Sequence, residues 1–378
     1  MIIGLAPMDG FTDYAFRQIT KEVFEKYGDK NKYQFILRTE FMNANGYLIN
    51  PVGVVKHLLS NKEQAPLIAQ IFGNDKDILV KCFEDIDRKY RFSAECRVQN
   101  AELSAEAKVQ NIKKNLNSEL YTINSKLNPG QKIFSGLELN LGCPAKTVIQ
   151  NGGGSAMLKD RTQVLEILKE IKKQTTLPLS IKTRTGITDD DKVQQKDFLI
   201  QASKICGMMT IHGRTVKQVY SGDADWAFMY DIKKNISKTC LLLGNGGVTN
   251  YEEIEAKKGN LDGILIGQAA IGNPRVFTPH VPSNKELKET ILRHLELMVR
   301  SEQYFQEQSK TWSGVLNMPE VKKLPKIQFP VNEQIVVAFR KHLFQYIKGI
   351  TGSKEWKRTI SVIKDYEELV EAIEQFLT

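Results

Sequence analysis

CLLLGNGGVTNYEEIEAKKGNLDGILIGQAAIGNP, residues 240–274, carries the repeating unit of this chain in its most legible form. An apolar run (240–244) ends in the glycine turn Asn245-Gly246-Gly247. A stretch of helical character follows, and a second apolar run (261–266) ends in Gly267-Gln268. Short runs of this kind, continuous rather than alternating, mark strands buried on both faces of a parallel sheet. Outward from this segment the same unit recurs at 2–6 (IIGLA), 34–38 (QFILR), 66–71 (PLIAQI), 136–140 (GLELN), 178–183 (PLSIKT) and 207–212 (GMMTIH). Eight βα units in series predict an α/β chain whose strands close into a (β/α)8 TIM barrel. An open doubly wound sheet is the rival, but eight evenly used strands favour closure.

Seven of the eight runs end in polar or glycine residues that point to a site: Pro7-Met8-Asp9, Gln70, Asn140-Leu141-Gly142-Cys143, Lys182, His212-Gly213-Arg214, Asn245-Gly246-Gly247 and Gly267-Gln268. Barrel enzymes assemble their sites at that carboxyl-end face. Within ELNLGCPAKTVIQNGGGS (138–155), Cys143 stands in a Gly-Cys-Pro turn ahead of a glycine-rich loop, a setting for a rigidly held thiol rather than a packed core residue. The paired glycine turns after the seventh and eighth runs predict a phosphate-bearing cofactor, because backbone N–H groups at such turns bind phosphate. Lys182 closes an apolar strand and directs its ammonium into the barrel mouth, and His212 follows its strand directly into HGRT.

The net charge of +9 in 378 residues suits a polyanionic partner. Its distribution says more. Residues 88–133 hold nine Lys/Arg against four Asp/Glu, and residues 340–358 hold six against one, so the remainder of the chain is close to neutral. The first segment, an insertion between strands three and four, steps its apolar residues by three and four from Val109 to Leu127 and predicts a thin amphipathic helix. The pattern becomes purely helical after Pro282, giving residues 285–378 as a separate helical domain after a barrel of residues 1–280. No apolar run approaches the roughly 20 residues of a membrane span. The start, MIIGLAPMDG, lacks a secretory signal, and a cytoplasmic location is expected. Five scattered cysteines form no CxxC pair and no cluster with metal spacing, so reduced thiols and no metal site are expected.

The ordered motifs APMDGFTD (6–13), AQIFG (69–73), LNLGCPAKTV (139–148), GGGSAML (152–158), KTRTG (182–186), IHGRT (211–215), YSGDADW (220–226) and GNGGV (244–248) resemble those of tRNA-dihydrouridine synthases. AFRKHLFQYIKGITGS (338–353) resembles that family's RNA-binding helical domain. The resemblance implies an FMN-carrying catalytic barrel that reduces uridine in tRNA to 5,6-dihydrouridine, with NADPH as a transient reductant and no membrane association. It implies that Pro7, Met8 and Asp9 lie against the flavin ring, and that Gln70 and Lys182 bond its pyrimidine edge and N1/O2 side. His212 would contact flavin or phosphate, and Asn245, Gly246, Gly247, Gly267 and Gln268 would hold the phosphate. Cys143 would be the general acid and Asn140 would help to position the uracil. Arg184 and Arg214, in the same motifs, are expected to meet the substrate, and Arg340, Lys341, Lys348, Lys354, Lys357 and Arg358 to grip RNA. No protein partner is inferable. One departure stands out: the family's phosphate turn carries Gly-Arg where this chain has Gly267-Gln268. Two alternatives stay open, an FMN enzyme of the dihydroorotate or dihydropyrimidine dehydrogenase kind acting on free pyrimidines, and a non-catalytic RNA-binding protein.

Overall fold

The computed structural model describes residues 1–90, 132–310 and 318–377. Eight parallel strands follow one another around a closed barrel: β1 (Ile2–Leu5), β2 (Gln34–Asn43), β3 (Leu67–Phe72), β4 (Gly136–Asn140), β5 (Leu179–Arg184), β6 (Met208–His212), β7 (Leu241–Asn245) and β8 (Gly263–Ile266). Closure is made by β8 pairing with β1, Ile2 opposite Gly263 and Leu5 opposite Ile266, which rules out the open doubly wound sheet.

The two-residue period of the strands sorts their side chains into two populations. Outward residues such as Ile3, Leu37, Leu139, Ile181, Ile211 and Ile264 join the main core beneath the surrounding helices. Inward residues at the amino end, among them Ile2, Ile36, Ile68, Met208 and Leu243, form a separate apolar plug. Above that plug the inward positions turn polar. Arg38 and Glu138, both fully buried, form an ion pair at 3.0 Å, and the layer above it holds Gln70, Asn140, Lys182, His212 and Asn245.

The strand expected at 34–38 continues to Asn43, with a register shift between Arg38 and Phe41. Arg38, where the run read from the sequence ends, and Glu40 just beyond it are both buried because each finds a partner. Arg38 pairs with Glu138, and Glu40 accepts the Gly10 N–H at 2.7 Å.

Past the barrel the chain is helical: α1 (Tyr14–Tyr27) of the first βα unit receives helices Asn284–Ser309 and Glu333–Tyr346, followed by Ser353–Ile360 and Tyr366–Phe376. The first of these starts in a full capping box between Ser283 and Glu286. These helices have a core of their own around Leu295, Phe339 and Leu343, but Leu297 and Val321 belong to the barrel's core. Arg293 also bonds Glu22 of α1 with both Nε and Nη2, at 3.1 Å. The helical part is therefore mortised into the barrel and not tethered beside it. Most of the insertion expected as an amphipathic helix lies outside the described residues. At its root the Ile133 N–H donates to the Tyr90 carbonyl at 3.0 Å. No helix among the described residues is long and apolar enough to cross a membrane.

Two imidazoles are sealed into this junction. His342 and His294 are fully buried with ring centroids 4.7 Å apart, against Phe16 of α1, with the Lys341 cation nearby. Burial first, then neighbouring positive charge, holds His294 at about 3 and His342 well below the ordinary imidazole value. An unfolded chain titrates both near ~6.5. As pH falls below that value the unfolded state binds protons that the folded state refuses, so stability is lost from about pH 6.5 downward, at about 1.4 kcal/mol per pH unit for each histidine. Urea unfolding followed between pH 6.5 and 4.5 should show His342→Leu losing about one proton's worth of this slope. An unchanged slope would remove His342 as a source of acid sensitivity.

Candidate active site

The strands' carboxyl ends enclose a cavity of about 680 Å³, within the range of small-ligand sites. The residues singled out from the sequence converge on it. Pro7, Met8 and Asp9 come from the β1 loop, Gln70 from β3, Asn140 and Cys143 from β4 and its turn, Lys182 and Arg184 from β5, and His212 and Arg214 from β6 and its loop. Asn245, Gly246 and Gly247 after β7, with Gly267 and Gln268 after β8, complete the ring. Eight strand ends spread along some 265 residues meet because closure brings every carboxyl end to one rim.

Cys143 is held by its backbone. The Asn140 side-chain oxygen accepts the N–H groups of Gly142 and Cys143, both at 3.0 Å, closing a tight turn. The Ser155 hydroxyl and N–H both bond the Cys143 carbonyl, at 2.9 and 3.1 Å, so the glycine-rich loop clasps the turn from outside. Gly154 makes that approach at φ +59, where a Cβ would sit 2.9 Å from the Cys143 carbonyl oxygen. Burial pushes the Cys143 thiol above its ordinary range and Asp9 pushes the same way, against the Ala145 N–H and the cations Arg184 and Lys182. The group is therefore a protonated thiol at neutral pH, half-exposed to the cavity. Cys82, Cys206 and Cys240 are free thiols packed in the core, as buried small hydrophobes should be.

The neighbouring wall, from β5 onward, is cationic. Lys182 bonds the Asn245 side-chain oxygen at 3.1 Å, and Asn245 is itself anchored to the Leu265 carbonyl at 2.9 Å. Burial draws the Lys182 ammonium down to about 8, opposed by the Glu138 carboxylate and assisted by Arg184 and Arg38. Burial, with Lys182, Arg184 and Arg214 around it, takes His212 down to about 2, so this imidazole is neutral and can serve only as a hydrogen-bonding group. Gly246, at φ +115, lies so close to it that a Cβ would come 2.6 Å from the His212 ring. Bare backbone is the only thing that fits between imidazole and cavity. An ammonium, four primary amides, a guanidinium and two glycine turns suit a ligand with ring carbonyls at one end and an anionic group at the other.

Several assignments change. Arg184 lines the cavity, but its guanidinium is buried and spent on the carbonyls of Gly142, Thr215 and Val219 at 2.8–3.0 Å, so it braces three loops. Those bonds hold Val219 at φ +52, a strained value for a β-branched residue, and leave Val219 and Tyr220 exposed at the rim. Arg214 bonds the Gly222 carbonyl at 2.9 Å and reaches His212. Of the six cations of the helical segment, none lines the cavity. Arg340 bonds the Ile363 carbonyl and Lys341 the Gly10 carbonyl, so both are engaged by the fold. Lys348, Lys354 and Arg358 are exposed, and Lys357 lies over the Phe344 ring. The sequence reading missed Phe41, Tyr220 and Thr249 on the lining. It also missed that Asp9, Glu40 and His57, far apart in the chain, bring one ligand atom each within 4.8 Å. Glu40 already uses its oxygens on Gly10 and His57.

The description "Dihydrouridine synthase (Dus)" belongs to the family model that matches residues 4–90 and 124–378. The unmatched stretch lies inside the insertion read at 88–133. A probable tRNA-dihydrouridine synthase of Rickettsia conorii is 28% identical over 269 residues, 67% of this chain and 71% of its own length. The tRNA-dihydrouridine synthase B of Pseudomonas aeruginosa is 23% identical over 98% of this chain and 91% of its own. Probable tRNA-dihydrouridine synthase 2 of Bacillus subtilis is 26% identical over 98% and 93%. The matched residues run through every strand, both glycine turns, the Cys143 turn and the helices to the end of the chain. With this barrel and this cavity beneath that match, the chain belongs to the dihydrouridine synthase family.

Proposed function

We propose that this oxidoreductase reduces a uridine of tRNA to 5,6-dihydrouridine with FMN held in the barrel mouth and Cys143 as the proton donor. The observation that carries the reading is the protonated, half-exposed Cys143 thiol in one cavity with Lys182, Gln70 and Asn140. FMN would rest on Pro7, Met8 and Asp9, with its ring carbonyls toward Gln70 and Lys182. Its phosphate would meet the turns at Asn245-Gly246-Gly247 and Gly267-Gln268, with Arg214 and neutral His212 beside them. Reduced FMN, when bound, supplies the hydride that reaches C6 of the base. The protein does the rest: the Sγ–H of Cys143 gives its proton to C5, and the resulting thiolate regains one from solvent. A thiol kept above its ordinary pKa suits a general acid, which must carry its proton at working pH. Asn140 supports the base and the barrel wall excludes water. The base must leave its stack to enter a cavity of this depth.

The exposed cations Lys348, Lys354 and Arg358, with Lys357, would grip the RNA backbone, making residues 285–378 the RNA-binding part and the barrel the catalytic part. NADPH would reach the cofactor through the open mouth, since the sequence carries no dinucleotide motif. A cytoplasmic site of action follows from the substrate.

The test is tRNA lacking dihydrouridine, incubated with the chain, FMN and NADPH and digested for mass spectrometry. New dihydrouridine supports the reading. Turnover of free uracil or orotate with none in tRNA would favour the free-pyrimidine alternative, and a colourless chain that binds tRNA would favour the non-catalytic one.

Lys182 adds a pH signature. Its ammonium, charged below about 8, discharges as pH rises through that value, while an ordinary lysine would hold its proton to ~10.4. Charge beside the cofactor's N1/O2 side is then lost on the alkaline limb. The rate of cofactor reduction by NADPH, measured from pH 6.5 to 9.5, should fall with an inflection near 8. Lys182→Met should lower the rate at neutral pH and abolish the inflection; the same inflection in the variant would assign it elsewhere.

A further inference from the structure

Beneath the cavity lies a buried polar group that the mechanism above does not use. Glu138 is fully buried at the barrel floor. Its two oxygens take the Arg38 Nε–H at 3.0 and 3.1 Å, the Gln70 amide at 2.7 Å and the Ser180 hydroxyl at 3.3 Å. Arg38 also donates to the Thr210 hydroxyl at 3.1 Å. From Glu138 the bonds run upward: the Gln70 side-chain oxygen accepts from Asn140 Nδ2 at 2.9 Å, and the Asn140 oxygen accepts the Gly142 and Cys143 N–H groups. A single chain of bonds thus joins a buried ion pair to the turn that carries the thiol.

Valence counting fixes what this chain can offer a ligand. A carboxylate paired with a guanidinium accepts and does not donate, so Gln70 must turn its NH2 toward Glu138. Two backbone N–H groups fill both acceptor positions of Asn140, so Asn140 must turn its NH2 toward Gln70. Both ends demand the same polarity. What remains for the cavity is one N–H on Asn140, one N–H on Gln70 and a single lone pair on Gln70. Asn140 can therefore only donate to whatever enters.

We propose that Glu138, held by Arg38, is a positioning residue that fixes the orientation of Gln70 and through it locks Asn140 as a hydrogen-bond donor into the cavity, so that the site takes a ring carbonyl and refuses an amino group at Asn140. This rests on the reading of the site as a uridine-reducing one, where it selects uracil over cytosine at the edge that Asn140 meets. The carboxylate serves Lys182 as well, since it is the main group opposing the loss of that ammonium's proton.

Glu138→Asp keeps the charge opposite Arg38 but withdraws the carboxylate from Gln70 by one methylene. We expect a folded protein with a full complement of FMN and an unchanged KM for tRNA, because phosphate contacts far from the barrel floor set that affinity. The loosened amides should lower kcat by about 10- to 100-fold, the scale of a slight misplacement at a reacting centre. They should also alter the visible spectrum of the bound flavin, which reads hydrogen bonds at the ring independently of turnover. Asn140→Asp, equal in shape but with an acceptor where the donor was, should cost at least ~100-fold in kcat/KM on uridine. If Glu138→Asp fails to fold, the Arg38→Met/Glu138→Gln pair removes charge and counter-charge together and asks the same question. Unchanged kcat and an unchanged flavin spectrum in either folded variant would overturn the positioning role. Altered flavin spectra in a protein whose unmutated form makes no dihydrouridine would leave that role standing and sink the substrate reading instead.

Discussion

Cys143→Ala will bind FMN and tRNA as the unmutated chain does and lose about 10²–10⁴-fold in uridine reduction, the contribution typical of a general acid. The selectivity of the loss follows from how the thiol is held. Sγ itself takes only the Ala145 N–H, and the bonds that shape the turn are made by backbone or by neighbours: Asn140 to the Gly142 and Cys143 N–H groups, Ser155 to the Cys143 carbonyl. Removing Sγ breaks none of them, so the turn and the cavity survive. What disappears is the one protonated thiol facing the cavity among the described residues. Single-turnover oxidation of the reduced flavin by tRNA measures the step directly. Near-normal rates would take Cys143 out of the mechanism.

The second large effect concerns RNA affinity. Lys348, Lys354 and Arg358 are exposed and their charges have no partner among the described residues, whereas Arg340 and Lys341 are bonded to backbone carbonyls. Changing the three exposed cations to glutamine should lower the slope of log affinity against log salt by about three, one per lost phosphate contact. At ~0.1 M salt that amounts to roughly 10²–10³ in tRNA affinity. FMN content and reduction by NADPH should not change, because none of the three reaches the cavity. Filter binding at several salt concentrations checks both slope and affinity, and an unaltered slope would leave these cations as an ordinary solvated face. Deleting residues 285–378 is a poorer experiment. It would strip Leu297 and Val321 from the barrel core and expose the face of α1 that Arg293 and His342 cover, so lost binding could not be told from lost folding.

In the glycine turns the sequence was nearly sufficient. Gly246 and Gly267 stand where apolar runs end, and a closed barrel brings all such ends to one rim, so a list of strand ends was already a list of lining residues. The change to helices after Pro282 was legible for a similar reason, since apolar periodicity is a local signal, and the first of those helices does start there in a cap made by Ser283 with Glu286. The charged residues were not legible. The second strand was ended at Arg38, short of buried Glu40, because a lone charge is rarely buried, and the partners Glu138 and Gly10 lie elsewhere in the chain. Arg184, Arg340 and Lys341 read as contacts for RNA because charge can be counted along a chain while its direction cannot. Each instead satisfies backbone carbonyls brought to it by other elements.

Local chemistry by itself thus determined the strands, the turns, the thiol in its rigid setting and the order in which they occur, because each of those rests on neighbours a few residues apart. Only the tertiary structure decided which inward positions form an apolar plug and which a polar relay, where the helices lock onto α1, and which cations remain free. Those outcomes depend on groups up to 331 residues apart, as Gly10 and Lys341 are, and pairing over such distances exists only once the barrel has closed.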